Sequence, residues 1–157
     1  MTIFVDTCVL QVMPCGESGW RVNRNMLKLL RLMKPIVTSA APAAIGPYSQ
    51  AIEVNGFVYA SGQLPIDPAT GAFPEGGVQE QTRQSLLNVK AILEEAGLTL
   101  ANVVKTTVYL ADMGDFAAMN EIYSQFFSQP FPARSAVAVK ALPKGALVEV
   151  EVIAARG

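Results

Sequence analysis

The chain has 157 residues, of which 51% are hydrophobic and 16% charged, and its formal net charge is −1. This composition suits one globular domain with a buried core that folds without disulfide support. The sequence contains no histidine, and both cysteines, Cys8 and Cys15, lie close to its start. The remainder therefore lacks the usual zinc and copper ligands and the Ser/His or Cys/His nucleophile pairs, so acid–base chemistry falls to Asp, Glu, Lys, Tyr or bound water.

From Lys34 onward the chain is mildly acidic, with eight Lys/Arg and eleven Asp/Glu residues, a net charge of −3. No basic run interrupts this stretch, and a phosphate backbone would be repelled by it, so we expect no nucleic-acid partner. Because this stretch also has no cysteine, it cannot form a disulfide framework, and a cytoplasmic location is expected.

The first 33 residues differ in composition from the rest, with four basic residues against two acidic ones. The stretch Trp20–Met33 could form a basic amphipathic helix, which is typical of a membrane-surface segment or an organellar presequence. The favoured interpretation is an extension upstream of the true start, with Met26 or Met33 as the initiator. A secretory signal is not expected, because Asp6 interrupts the early apolar stretch.

No run in the sequence approaches the ~18 to 20 apolar residues of a membrane span, so we expect no membrane partner. The prediction for domain organisation is an N-terminal extension over residues 1–33 and a single domain over residues 34–157.

A β-hairpin is predicted near the start of the domain. Ile36–Thr38 is a short β-prone segment, and the Pro/Gly-containing loop that follows leads to the strands Ala51–Val54 and Phe57–Ala60. These strands flank Asn55-Gly56, whose residues both tolerate positive φ, the strongest short hairpin signal.

Two helices follow with clear periodicity. Apolar residues recur at helical spacing over Val78–Ala96, and Gly97 supplies a C-terminal stop. A second apolar stripe covers Asp115–Phe127, with Asp115 as the predicted cap. Between the helices, Val103–Leu110 is predicted to be a strand.

Two further strands, Ser135–Val139 and Leu147–Ala154, complete the prediction. About six strands and two long helices indicate an α+β fold in which the helices cover one face of the sheet. The other face must be covered too, and a partner subunit is the economical candidate.

The last of these strands places two carboxylates among valines. Strand alternation puts Glu149 and Glu151 on one face, roughly 7 Å apart, so each raises the pKa of the other. Arg134 lies fifteen residues before Glu149. A cation and a carboxylate on an apolar strand suit a small anion-binding hydrolytic site, although the residues alone do not say which glutamate is the base.

Five segments, in order and with their spacing kept, resemble the signatures of the Rid family of enamine/imine deaminases, RidA type. The segments are Ala43–Ala51, Ser61–Pro65, Phe131–Ser135, Leu142–Gly145 and Glu149–Ala154. The resemblance covers about residues 34–157. It implies a chorismate-mutase-like fold with a mixed sheet, and a homotrimer with sites in clefts between subunits.

The resemblance also implies an activity. Members hydrolyse 2-enamines and 2-imines such as 2-aminoacrylate to 2-keto acids and ammonia, and so protect pyridoxal-phosphate enzymes such as threonine dehydratase. No metal or organic cofactor is implied, and the small-molecule partners are 2-imino and 2-keto acids.

The matching positions carry the expected roles residue by residue. Arg134 would bind the substrate carboxylate through its planar fork, and Glu149 would orient or deprotonate the attacking water. Glu151 becomes a structural residue. The remaining substrate-binding candidates are Tyr48, Ser61, Gly62, Asn120 and Ala136. At Ala136 many members have cysteine; alanine leaves a backbone role intact and excludes thiol chemistry there.

Two other functions compete with the deaminase. The same cleft could bind small acids without turnover, as a trimeric binding or chaperone-like module, but Glu149 beside Arg134 favours chemistry. Ribonuclease or translation-inhibiting activity has been ascribed to relatives, and the acidic net charge and the absence of histidine argue against it.

Overall fold

The computed structural model describes residues 4–5, 8–9 and 32–157. Contacts divide the chain into two units, Met1–Leu30 and Arg31–Gly157. In the first unit, strands β1 (Phe4–Val5) and β2 (Cys8–Val9) pair antiparallel. The helix predicted over Trp20–Met33 lies almost entirely outside the described residues, and the proposed extension stays a prediction.

The second unit contains a six-stranded mixed sheet. Its strands are β3 (Lys34–Ile36), β4 (Ala51–Val54), β5 (Phe57–Gln63), β6 (Val103–Leu110), β7 (Ala133–Ala138) and β8 (Val148–Ala155). They lie in the order β3-β4-β5-β8-β6-β7, and every neighbouring pair is antiparallel except β6 and β7. The predicted α+β fold with about six strands is confirmed.

The predicted hairpin joins β4 to β5. Asn55 and Gly56 have φ values of 50° and 80°, the left-handed conformation that a two-residue hairpin turn requires. Strand β5 continues beyond the predicted end at Ala60 as far as Gln63. Its pairing with β8 shifts register between Ala60 and Gln63, which is a β-bulge at Ser61 and Gly62.

Two helices cover one face of the sheet, as the periodicity predicts. They are α1 (Val78–Glu95) and α2 (Phe116–Phe126). The apolar stripe of α1 is fully buried, and it belongs to one hydrophobic core with the inward-facing valines of β8. Gly97, with φ +70°, ends the first helix as expected.

Two local predictions need correction. Asp115 occupies the N-cap position of α2, but its side chain makes no capping hydrogen bond. A 3₁₀ turn over Met113–Asp115 precedes the helix, and the Asp112 side chain accepts the Gly114 N–H at 2.7 Å. The first strand ends at Ile36 and does not extend to Thr38. The Thr38 N–H donates at 2.7 Å to the Gln50 side chain, so it does not take part in the backbone hydrogen bonds of the sheet.

The second face of the sheet carries no helix in the described part of the chain, and we call it the open face. Side chains of β5, β6 and β8 that alternate with the core residues lie on it, including Tyr59, Tyr109 and Glu149. Tyr59 is 46% exposed there. Among the described residues, no helix is long and apolar enough to cross a membrane.

Helix α1 contains one polar group that the fold does not satisfy. The Ser85 hydroxyl is buried, and it has no hydrogen-bond partner among the described residues. We expect Ser85→Ala to raise the free energy of unfolding by about 1 kcal/mol, because it removes a desolvated hydroxyl and improves helix propensity. Urea denaturation at fixed protein concentration measures this difference.

Ser124→Ala is the matched control, since Ser124 is exposed on α2 and donates to the Glu121 carbonyl at 2.8 Å. It should change stability by less than about 0.5 kcal/mol. Equal effects of the two substitutions would show that burial of the Ser85 hydroxyl carries no cost.

Candidate active site

Glu149 lies on the open face, beside the bulge of β5. It is half-buried and pairs in register with Tyr109 on β6. A Cβ built on Gly62 would overlap the Glu149 carboxylate, so the carboxylate lies directly against the backbone of β5. Only glycine at position 62 permits this contact.

Burial raises the pKa of the Glu149 carboxyl above its ordinary value, and the charge of Glu151 raises it further. Glu151 lies on the same face and accepts a hydrogen bond from the Tyr109 hydroxyl at 3.2 Å. Burial, followed by the charge of Glu151, raises the pKa of Tyr109 as well. A carboxyl with a raised pKa accepts a proton more readily than one at its ordinary value.

Arg134 lies on the edge strand β7 and projects toward the helices. It is aligned with the buried Thr106 in the parallel pair, so both side chains point to the same face. Its Nη1 donates to Asn120 Oδ1 at 2.8 Å. The guanidinium carbon lies 4.6 Å from the Tyr123 ring centroid and 5.5 Å from that of Phe116, so two aromatic rings and an amide hold the cation.

The two principal candidates are therefore separated within one chain. Arg134 projects to the helix face of the sheet, and Glu149 projects to the open face. Within one chain, the sheet therefore lies between the two side chains.

Each of the other candidate residues lies near Gly62, which contacts Glu149, or near Arg134. Tyr48 is 52% exposed on its loop and, together with Gly62, lines a groove of about 550 Å³. Ser61 lies next to Gly62 in the bulge. Asn120 contacts Arg134, and Ala136 lies two residues along β7, on the same side as Arg134.

Both hydrogen-bond donors of Ser61 bond within the chain. Its hydroxyl donates to the Ser49 carbonyl at 2.7 Å, and its backbone N–H donates to the Gln50 carbonyl at 2.9 Å. Ser61 can therefore offer a ligand only hydrogen-bond acceptors.

Some neighbours of the site were not found from the sequence. Tyr123 and Phe116 belong to the apolar stripe of α2, and nothing in that periodicity indicates that their rings flank an arginine. Tyr109 is one position in an ordinary strand pattern, and only the register with β8 places it beside the two glutamates. In the part of the chain that is described, no group of three His, Cys, Asp or Glu residues could hold a metal ion.

Comparison with known proteins gives consistent results. Residues 38–156 match the protein family described as Endoribonuclease L-PSP. The chain is 55% identical over 122 residues to a 2-iminobutanoate/2-iminopropanoate deaminase from Capra hircus, covering 78% of this chain and 89% of that protein. It resembles the Rid-family protein YyfA from Yersinia pestis, with TM-score 0.77, 52% identity and coverage of 79% and 99%. It also resembles E. coli TdcF with bound serine, with TM-score 0.75, 47% identity and the same coverage.

The pair of glutamates yields a prediction about proton affinity. Replacing Glu151 with Gln removes the negative charge beside Glu149, so the pKa of Glu149 should fall toward its ordinary value while remaining above it because of burial. Carbon-detected NMR titration of the glutamate carboxyls measures this shift. Glu53→Gln is the control, because Glu53 is bonded to Arg156 and should leave the Glu149 titration unchanged.

The same shift has a consequence for stability. Folding raises the pKa of Glu149, so the folded state holds this proton more tightly than the unfolded state does. The resulting contribution to the free energy of unfolding is fully present below the unfolded-state pKa. It is lost as the pH rises through the folded-state pKa. Glu151→Gln should therefore reduce this loss. An unchanged Glu149 titration in Glu151→Gln would contradict the electrostatic coupling.

Proposed function

The chain belongs to the Endoribonuclease L-PSP family, and on that premise we propose that it hydrolyses 2-imines and 2-enamines, such as 2-aminoacrylate, to 2-keto acids and ammonia. The resemblance to the Rid family is confirmed, and the Capra hircus relative carries the name of an imine deaminase. The observation that carries the proposal is the Glu149 carboxyl, half-buried against Gly62 with a raised pKa.

The site is shared between subunits of a homotrimer. One subunit contributes Arg134, held by Asn120, with Ala136 beside it. The next contributes Glu149, Gly62 and the flanking Tyr48 and Ser61. The separation of Arg134 and Glu149 in one chain supports this arrangement, because a second copy covering the open face could bring its β7 edge to Glu149.

Arg134 binds the carboxylate of the substrate. Among the described residues the only hydrogen bond of its side chain runs from Nη1 to Asn120 Oδ1. The edge formed by Nε and Nη2 remains for a bidentate contact with a carboxylate, a geometry that lysine cannot reproduce. The aromatic rings of Tyr123 and Phe116 fix the guanidinium before the substrate binds.

Glu149 carries out the proton transfers. An enamine first becomes its imine by taking a proton on carbon and losing one from nitrogen. Glu149 then takes a proton from water as the oxygen bonds to the imine carbon, and the resulting carbinolamine receives that proton on nitrogen. The hydroxyl proton passes to the nitrogen through Glu149, the C–N bond breaks, and ammonia leaves as the carbonyl forms. One water is consumed for each ammonia released.

The biological role follows from the chemistry. Enamines of this type are released by pyridoxal-phosphate enzymes and damage them, so their hydrolysis protects those enzymes. We place the protein in the cytoplasm, with small 2-imino and 2-keto acids as its ligands and with neither nucleic acid nor membrane as a partner. The acidic composition of residues 34–157 supports the exclusion of nucleic acid.

Single substitutions at the two charged positions test the activity. Glu149→Gln removes the base and Arg134→Lys removes the bidentate contact, so each should lower kcat/KM for 2-aminoacrylate by about 10²- to 10⁴-fold. Threonine dehydratase generates the substrate from serine, and the ultraviolet decay of the imine gives the rate. Lys90→Gln, on the exposed surface of α1, is the control. Wild-type decay no faster than in buffer would refute the deaminase.

Mixing Arg134→Ala with Glu149→Gln subunits extends this test to the shared site. A mixed trimer contains one interface in which both residues are native, so random equal mixing should restore about a quarter of wild-type activity. Refolding the variants together and separately measures the restoration. No activity in the mixture, with trimers present, would place both residues of the site in one chain.

Gly62 provides a third test of the geometry. Gly62→Ala introduces a Cβ that overlaps the Glu149 carboxylate, so the carboxylate must move and kcat/KM should fall by about 10²-fold. Gly77→Ala is the matched control, because Gly77 has φ −109° and a Cβ there would contact nothing within 4 Å. Full activity in Gly62→Ala would show that the position of this carboxylate is not critical.

A further inference from the structure

The segment between β3 and β4, residues 37–50, contains neither helix nor strand, and we call it the groove loop. Thr38, Pro42 and Tyr48 of this loop line the groove of about 550 Å³ together with Gly62 of the bulge. Peptide groups in such a long irregular segment are not satisfied by a helix or a sheet, so the segment needs other partners to keep one conformation.

One buried side chain, that of Gln50, bonds to several peptide groups of the groove loop. Gln50 is 2% exposed. Its Oε1 accepts the Thr38 N–H at 2.7 Å. Its Nε2 lies 2.8 Å from the Pro42 carbonyl oxygen, 3.0 Å from that of Thr38 and 3.2 Å from that of Ala41, so two amide hydrogens are shared among three acceptors. Loss of the side-chain amide would leave all four loop groups without these bonds.

The Gln50 amide substitutes for a backbone peptide group of the sheet. Backbone pairing between β3 and β4 ends at Ile36 and Ala51. Thr38, two residues beyond Ile36, bonds through both its N–H and its carbonyl to the Gln50 side chain, as it would to a peptide group of a neighbouring strand. The side chain thereby joins the two ends of the groove loop.

A second set of bonds fixes the end of the groove loop to the bulge. The Ser61 N–H donates to the Gln50 carbonyl at 2.9 Å, and the Ser61 hydroxyl donates to the carbonyl of the preceding residue at 2.7 Å. Tyr48 comes directly before these two anchored residues. Gly62, which lies against the Glu149 carboxylate, comes directly after Ser61. The position of Tyr48 relative to Glu149 therefore depends on how residues 49 and 50 are held.

We propose that Gln50 is a positioning residue, whose side-chain amide holds the groove loop in the conformation that places Tyr48 beside Gly62. The inference rests on the proposed function, in which Tyr48 flanks the shared site, and it adds the residue that orients Tyr48. Both amide hydrogens of Gln50 are engaged in the loop, so Gln50 acts through Tyr48 and does not donate to the substrate.

Tyrosine NMR tests the position of Tyr48. Gln50→Met keeps the length of the side chain and removes its donors and its acceptor, so the groove loop should lose its fixed conformation. The chain has four tyrosines, so isotopic labelling of their rings gives few signals, and Tyr48→Phe assigns the relevant one. In Gln50→Met the Tyr48 signal should move most of the way to its value in unfolded protein. The signal of Tyr123, which is bonded to Thr106, should stay in place.

A second variant and a matched control accompany this measurement. Gln50→Asn keeps an amide but withdraws it by one methylene, so it cannot reach all four loop groups, and the Tyr48 signal should move in the same direction by less. It serves if Gln50→Met does not fold. Thr82→Val is the control, because it also removes a buried hydrogen bond, from the Thr82 hydroxyl to the Val78 carbonyl within α1. It should leave the Tyr48 signal unchanged.

Kinetics test whether Gln50 acts through Tyr48. Gln50→Met should lower kcat/KM for 2-aminoacrylate by about tenfold, because Tyr48 is displaced from the site. In a Tyr48→Ala background the same substitution should lower it by less than about twofold, because the group that Gln50 positions is already absent. A residue with a merely structural role would cause the same loss in both backgrounds.

Three results would overturn the positioning role: an unchanged Tyr48 signal in the folded Gln50 variants, equal kinetic losses in the two backgrounds, or full activity of Tyr48→Ala. The deaminase is judged separately, by imine hydrolysis in the wild-type protein. An inactive wild-type protein refutes the deaminase, and a displaced Tyr48 signal in the Gln50 variants would then still support the positioning of Tyr48 by Gln50.

Discussion

The alternation of side chains along β8 is the constraint on which the rest of the structure depends. Val148, Val150 and Val152 face the helices and are almost completely buried, so the strand cannot rotate or slip by one residue. The same alternation fixes Glu149 and Glu151 on the open face. The apolar core thus determines where the Glu149 carboxyl lies, and any change that shifted this strand would disrupt the core and displace that carboxyl.

The backbone of β5 accommodates the Glu149 carboxylate at its bulge. The carboxylate lies where a Cβ on residue 62 would be, so the glycine in the bulge provides the space. Bulges commonly occur where a strand must present a group to a ligand. The backbone contact also desolvates the carboxyl, so one irregularity both positions Glu149 and contributes to its raised pKa.

Local signals predicted much of the fold. The hairpin at Asn55-Gly56, the strand Val103–Leu110 and the extent of α1 follow from turn chemistry and periodicity, which act over a few residues. At Thr38 the prediction failed because a distant residue intervenes: the Thr38 N–H is bonded to the Gln50 side chain. At Asp115 the cause is local, because Asp112 caps the 3₁₀ turn that precedes the helix. The face on which Arg134 lies depends on the parallel pairing of β6 with β7, a contact between distant segments that periodicity does not reveal.

The separation of Arg134 from Glu149 links proton affinity to substrate binding. In an isolated chain, burial and Glu151 raise the pKa of Glu149, and we expect an arginine arriving from the next subunit to oppose that shift. A substrate carboxylate bound to Arg134 neutralises the cation and removes this opposition. The proton affinity of Glu149 then rises when the water beside it must be deprotonated. In the proposed arrangement the substrate itself would complete the electrostatic conditions for catalysis, and a domain whose residues 34–157 contain neither His nor Cys would obtain its base from burial and two charges.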